Sequence, residues 1–255
     1  MLRIDPLTKN LYLEYINSNL YKEMSNFSKE FSKNKKSFFY DKIWIKDSFS
    51  HFSRKAEYQF VFNELKNDSK MLDAGCGITF FPSFIKNKFP NLDLDLVDFS
   101  RQAEKFYRNR DFSFISSDLT NLNILDKQYD IVYCISTLEH IKNYSSVIKE
   151  FHRVLKPKGK LILTFDVSHD KDGFINIENL NIFINSIIST FQKKDKDYSF
   201  SKEGLITSHD FEKRDLPWKY PKIIYKYYYK LTKKRNISAW PPKISIVMMS
   251  ITKNL

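Results

Sequence analysis

Apolar side chains recur every three or four positions along the first part of the chain. This spacing predicts a helix over residues 11 to about 31 and a second helix over residues 54–65. The apolar positions of the first helix are Leu13, Ile16, Leu20, Met24, Phe27 and Phe31. We therefore expect residues 1–65 to form an N-terminal helical cap.

From Lys70 onward, short apolar runs alternate with helical stretches. The runs are residues 71–74, 92–97, 112–115, 131–135 and 161–165, with helices predicted over about 82–88 and near Ala103. Strands that alternate with helices are joined by right-handed crossovers into a parallel sheet that is covered on both faces. The predicted fold class is α/β, a Rossmann-like doubly wound, mainly parallel sheet in a single domain, with residues 66–168 as its core.

Three further elements are predicted after the core. Residues 177–192 have the pattern of a helix, and residues 217–235 that of a second helix, with apolar and aromatic side chains on one face and lysines around the other. The β-branched run over residues 243–254 is typical of a buried last strand.

Charge is distributed unevenly along the chain. Residues 193–255 carry 15 basic and 6 acidic side chains, or +9 of the net +12. This divergent basic C-terminal region indicates an anionic partner. A solvated lysine-rich surface explains the same charge equally well.

Cysteine content and hydropathy bear on the compartment. Cys76 and Cys134 are too few for a disulfide framework. Charged residues interrupt the first 25 positions, as a secretory signal would not allow, and no apolar run is long enough to span a bilayer. We expect a cytoplasmic protein.

The stretch MLDAGCGIT, residues 71–79, holds two of the five glycines in the chain. A strand that turns abruptly into a helix needs residues without Cβ where a ligand approaches the backbone, and Gly75 and Gly77 meet that need. The turn does not complete the GxGxxG pattern of dinucleotide-binding proteins. Asp73, just before the glycines, would suit a cationic or hydrogen-bond-donating group of a nucleoside-type ligand.

These residues resemble the first motif of the class I S-adenosylmethionine-dependent methyltransferases, except that Thr79 stands where that family usually has a third glycine. LDLVDFS, FISSDLTNL, YDIVYCISTLEHI and EFHRVLKPKGKLILT follow in the family's order, so the resemblance covers roughly residues 54–167. It implies S-adenosylmethionine as cofactor and S-adenosylhomocysteine as product. It also implies that Asp98 accepts hydrogen bonds from the ribose hydroxyls and that Asp118 binds the adenine amino group. The other implied cofactor-binding residues are Asp73, Gly75, Cys76, Gly77, Phe99, Ser100, Leu119 and Cys134.

Cys76 and Cys134 are expected near one another, as small buried residues beside the cofactor rather than as a redox pair. No metal site is predicted.

Methyl transfer to a hydroxyl calls for a base at the sheet's ligand-binding edge. His140 is the first candidate, with Glu139 as a possible orienting partner, and Asp166 and His169 are weaker candidates. An equally weighted alternative is that His140 only starts the helix after its strand.

The resemblance places acceptor specificity in residues 169–255, which diverge from the family. The overall pattern is similar to small bacterial methyltransferases of surface-polysaccharide pathways, including capsule biosynthesis. It implies O-methylation of a small anionic acceptor such as a nucleotide-linked sugar or a phosphoryl or phosphoramidate intermediate. The tyrosines and lysines of residues 217–235 also suit RNA stacking, a helix on an anionic membrane, or an amphipathic lid packed on the core. An RNA methyltransferase and a non-catalytic cofactor-binding protein therefore stay as alternatives.

Overall fold

A computed structural model describes residues 1–33, 49–169, 175–192, 198–201, 203–212, 215–216 and 242–254. Its strands are β1 (Leu2–Pro6), β2 (Lys70–Ala74), β3 (Asp93–Asp98), β4 (Ser113–Ser116), β5 (Tyr129–Ile135), β6 (Leu155–Ser168) and β7 (Ile244–Thr252). Its helices are α1 (Lys9–Asn17), α2 (Asn19–Lys33), α3 (Phe52–Glu64), α4 (Phe81–Lys88), α5 (Arg101–Arg108), α6 (Tyr144–Val154) and α7 (Leu180–Gln192). The predicted helix over residues 217–235 lies outside the described residues.

The seven strands form one sheet in the order β1-β7-β6-β5-β2-β3-β4. Strands β2 to β6 run parallel to one another, and β7 runs antiparallel to both β6 and β1. The predicted mainly parallel, doubly wound sheet is confirmed. The chain leaves β2 toward β3 on one side and leaves the adjacent β5 toward β6 on the other, and such a switch point is where open α/β sheets bind ligands.

Two apolar cores cover the faces of the sheet. Helices α1 to α5 pack on one face, and α6 and α7 pack on the other. The parallel strands are buried on both sides, which explains their nearly continuous apolar runs.

The N-terminal region differs from the predicted helical cap. Leu2–Pro6 is an edge strand that pairs with β7 from Leu2↔Ile251 to Pro6↔Val247. The short segment contains Pro6, which is tolerated at the edge of a sheet. The helix predicted over residues 11–31 is also two helices, because Ser18 adopts an extended conformation between them and its hydroxyl accepts a hydrogen bond from the Tyr21 amide at 2.9 Å.

Candidate functional site

A glycine turn follows β2 at the carboxyl edge of the sheet. Gly75 and Gly77 have φ values of +76° and +52°, in the left-handed region that glycine adopts readily. A Cβ on Gly75 would lie 2.6 Å from Cγ2 of Thr137, whereas a Cβ on Gly77 would meet no atom within 4 Å. Gly75 is therefore required for packing against the segment after β5, and Gly77 leaves open space beside the backbone.

Thr79 replaces the family's usual third glycine and has its own role. Its hydroxyl accepts a hydrogen bond from the Phe81 amide at 3.2 Å, at the start of α4. The buried Tyr107 hydroxyl accepts from the Thr79 amide at 3.1 Å and donates to its carbonyl at 3.2 Å. The backbone of Thr79 thus anchors the far end of the turn to α5, and its hydroxyl binds the start of α4.

Asp98 ends β3 and holds the glycine turn in place. One carboxylate oxygen accepts from the Gly77 amide and the other from the Ser100 amide, both at 2.9 Å. The side chain is buried, yet each oxygen keeps a second lone pair for a ligand. Ser100 caps α5 by accepting from the Ala103 amide, and Phe99 exposes 80% of its surface at this edge. An acid, an open glycine and an exposed ring fit a ligand that has hydroxyls and a flat base.

Asp118 and Leu119 follow β4 at the same edge. The exposed Asp118 carboxylate accepts from the amide and the hydroxyl of Thr120, both at 2.7 Å, and these bonds lower its pKa. Leu119 is buried in the core that α6 and α7 cover. Asp118 closes a local turn, and its predicted role toward adenine stays a prediction.

Asp73 is buried within β2 opposite Tyr133 of β5. Burial, reinforced by the nearby charge of Asp98, raises the pKa of Asp73 to about 8. The neighbouring Tyr133 hydroxyl lowers this pKa in part, although it forms no hydrogen bond of good geometry. A cationic group placed at this carboxyl would favour its ionised form.

The two cysteines lie in different buried cores, yet the charges of Asp73 and Asp98 act on both thiols, so their expected proximity stays a prediction. Cys76 packs in the core on the side of α3, whereas Cys134 packs in the core on the opposite face. Both are free and buried, and burial raises the pKa of both thiols. They are small core residues without thiolate reactivity.

Comparison with known proteins identifies this architecture. Residues 72–163 match the sequence model of the methyltransferase domain family. This part of the chain is therefore similar to a methyltransferase domain. S-adenosylmethionine is the cofactor of such domains, and the edge formed by Gly77, Asp98 and Phe99 fits it.

One relative of the methyltransferase domain, an uncharacterized protein of Methanocaldococcus jannaschii, is 32% identical over 157 residues, which are 57% of this chain and 65% of that protein. The chain spans about half to two thirds of the length of the first curated relatives that it matches.

Two solved structures share the fold of the methyltransferase domain at low sequence identity. The [4+2]-cyclase SpnF superposes with a TM-score of 0.55 and 15% identity, over 91% of this chain and 95% of that one. Phosphoethanolamine N-methyltransferase 2 of Haemonchus contortus, in complex with S-adenosyl-L-methionine, gives a TM-score of 0.53 and 16% identity, over 96% and 60%. The name of the first protein refers to a cyclisation rather than a methyl transfer, so the fold alone does not decide the chemistry.

The residues predicted as the base or its orienting partner differ in burial. A 3-10 turn, Leu138–His140, follows β5. The His140 side chain is exposed, whereas its neighbour Glu139 is buried. Asp166 lies half-buried near the end of β6, and His169 contacts Ser245 of β7 through Nε2 at 2.9 Å. The role of His140 stays a prediction, and Glu139, predicted as its orienting partner, is the one of the two that faces the interior.

Sequence reasoning missed a polar network on α3. Glu57 is fully buried, and its carboxylate accepts hydrogen bonds from Arg54 at 2.5 Å, Ser136 at 2.6 Å and Thr164 at 2.7 Å. Arg54 also donates to Ser136 at 2.6 Å. The signal was present in two places, a charged residue on the apolar side of a helix and a threonine inside the LILTF strand.

Within the described ranges, no three or more histidine, cysteine, aspartate or glutamate side chains are arranged to hold a metal ion. No helix in that part of the chain has the length and apolar character needed to cross a bilayer.

Proposed function

We propose that the protein is an enzyme that transfers the methyl group of S-adenosylmethionine to an oxygen of a small anionic acceptor. The observation that carries the proposal is the Asp98 carboxylate, which joins the glycine turn to the start of α5 at the switch point of the sheet. Bound there, S-adenosylmethionine supplies an activated methyl group. The acceptor class is our inference from charge.

Each described residue at this edge has a proposed task. Asp98 binds the ribose hydroxyls through its free lone pairs. Phe99 and Leu119 flank the adenine ring, and Asp118 binds its amino group. Asp73 pairs with a cationic or donating group of the same ligand. Methyl transfer needs alignment of the partners and exclusion of water, so these residues contribute mainly by holding the ligand in place.

The choice of a small anion rests on the basic residues 193–255. An anion at the acceptor entrance would be attracted by their +9 charge. Nucleotide-linked sugars and phosphoryl or phosphoramidate groups of capsular polysaccharide synthesis combine such a charge with hydroxyls or anionic oxygens. We propose a cytoplasmic location because the two cysteines are too few for a disulfide framework.

A binding measurement and a reaction screen test the proposal. Calorimetry should detect S-adenosylmethionine binding, and mass spectrometry should find an added CH₂ on one member of a panel of sugar nucleotides and cytidine or guanosine phosphates. Cofactor binding without turnover on any acceptor would favour a non-catalytic protein. A tight, salt-sensitive complex with RNA would favour an RNA methyltransferase.

A further inference from the structure

Glu139 is a buried carboxyl group without the partners that such groups normally have. Its surface is 5% exposed, and neither carboxylate oxygen has a hydrogen-bond partner among the described residues. An isolated buried carboxylate is costly, so the group must hold a proton or meet a ligand.

The surroundings of Glu139 are rich in acid. Glu57 faces it from α3 and Asp166 from β6, and both charges raise its pKa. Arg54 is the cation that acts on Glu139 and Asp166, but its guanidinium is already bound to Glu57 at 2.5 Å. The network around Glu57 is satisfied, whereas Glu139 is not.

The pKa shifts of both carboxyl groups have the direction that this geometry implies. The pKa of Glu139 is raised well above its ordinary value, chiefly by burial and then by the charge of Asp166. Burial and the charge of Glu57 raise the pKa of Asp166 to about 7. Two carboxyl groups whose charges repel each other in a buried setting do not both ionise readily.

The two carboxyl groups stand at the edge that binds the cofactor. Glu139 follows β5 in the 3-10 turn, which packs against β6, and Asp166 lies two residues beyond Thr164 on the same face of that strand. Thr137, two residues before Glu139, donates a hydrogen bond to the Gly75 carbonyl at 3.3 Å. The same short segment therefore joins Glu139 to the glycine turn.

We propose that Glu139 and Asp166 form a carboxylate pair that binds the acceptor's hydroxyl group and takes its proton during methylation. The inference rests on the proposed function and identifies the acceptor atom as a hydroxyl oxygen. A lone pair of that oxygen forms the new O–C bond, and the electrons of the broken S–C bond stay on sulfur. The O–H electron pair stays on oxygen, and the proton passes to the Glu139 carboxylate. Glu57, held by Arg54, is a positioning residue for the pair.

The first test measures the pair without any acceptor. Carbon-13 NMR of the full chain, labelled at aspartate and glutamate carboxyls, follows each carboxyl with pH. The signal of a glutamate with a raised pKa should vanish in Glu139→Gln and move to lower pH in Asp166→Asn, since the neighbouring charge is removed. The exposed Glu178→Gln variant is the matched control and should leave that signal in place. A Glu139 carboxyl that titrates in the ordinary glutamate range would overturn the pair.

The second test uses an acceptor found in the reaction screen. Turnover of the wild type should rise with pH as the pair loses its proton, and Glu139→Gln should lower kcat about 10²-fold or more and remove that rise. Its S-adenosylmethionine affinity should equal that of Glu178→Gln, which separates loss of the base from misfolding. The groups facing Glu139, namely Arg54, Glu57, Cys134 and Asp166, are unchanged in this variant.

The outcomes distinguish the two proposals. Methylation of an acceptor by Glu139→Gln at the wild-type rate, with turnover lost instead in His140→Ala, would overturn the carboxylate pair and leave the proposed function intact. Cofactor binding with no methylation of any acceptor would overturn the proposed function, and the role of the pair with it.

Discussion

Replacement of Asp73 by asparagine should stabilise the cofactor-free protein. Asp73 is 4% exposed in the middle of the sheet, where its charged form is disfavoured. Asparagine has nearly the same shape and no charge, and its amide could donate to the Tyr133 hydroxyl, which lacks a good hydrogen bond. The change therefore removes an electrostatic cost and leaves the packing intact.

The magnitude follows from the pKa of Asp73, which is about 8 in the folded protein against an ordinary value of 3.8. A raised folded pKa means that the contribution of this carboxyl to stability is fully present below pH 3.8 and is lost as the pH rises toward 8. Between the ordinary pKa and pH 7 lie about three pH units, and each costs about 1.4 kcal/mol of stability. The folded protein has therefore lost about 4 kcal/mol of stability at pH 7. Asp73→Asn should recover most of it.

Urea denaturation at several pH values between about 5 and 8 measures this difference. The stability of the wild type relative to Asp73→Asn should fall steadily across that range, while the exposed Asp68→Asn variant should track the wild type. Saturating S-adenosylmethionine should narrow the gap, because a cationic group of the ligand favours ionised Asp73. A gain below about 1 kcal/mol at pH 7, or a gain independent of pH, would refute the assignment of a buried, protonated carboxyl.

Three further changes test other parts of the site. Gly75→Ala should lower the free energy of unfolding by about 2 kcal/mol or more, because the new Cβ would collide with Thr137. Gly77→Ala should lower it by about 1 kcal/mol, because its only cost is backbone strain. Equal losses in urea denaturation would exclude the contact with Thr137 as the cause. Asp98→Ala should weaken S-adenosylmethionine binding by about 1.5 to 3 kcal/mol in calorimetry, and unchanged affinity would remove Asp98 from the site. Replacing lysines within residues 217–235 by serine should raise the acceptor KM, about tenfold for each ~1.4 kcal/mol of binding free energy lost. Added salt should raise KM as well, because it screens the same charges. A KM that neither change alters would exclude binding of the acceptor by residues 217–235.

Local patterns predicted most of the fold. The alternation of apolar runs and helical stretches identified β2 to β6 and their intervening helices, because each depends on neighbouring residues. The edge strand β1 was missed because five residues carry little periodicity. Their extended shape depends on pairing with residues 247–251, at the other end of the described chain.

The candidate site divides in the same way. Gly75 and Gly77 were predictable because a turn between a strand and a helix imposes its own residue types, and Asp98 was identified through the family resemblance. The network of Glu57 with Ser136 and Thr164 was not predictable, because it joins residues 79 and 107 positions apart. Nor could the pattern show that Glu139, rather than His140, turns inward, since adjacent residues of a short turn can face either way.

The pairing of β1 and β6 with β7 also sets an order of events during biosynthesis. Strand β7 lies between the other two, so until residues 244–252 have left the ribosome, β6 has an open edge and β1 has no partner. An open edge next to an apolar strand is a template for association with other chains. We therefore expect nascent chains that stall before residue 244 to aggregate or to need a chaperone, although the cofactor-binding half of the sheet has already been synthesised.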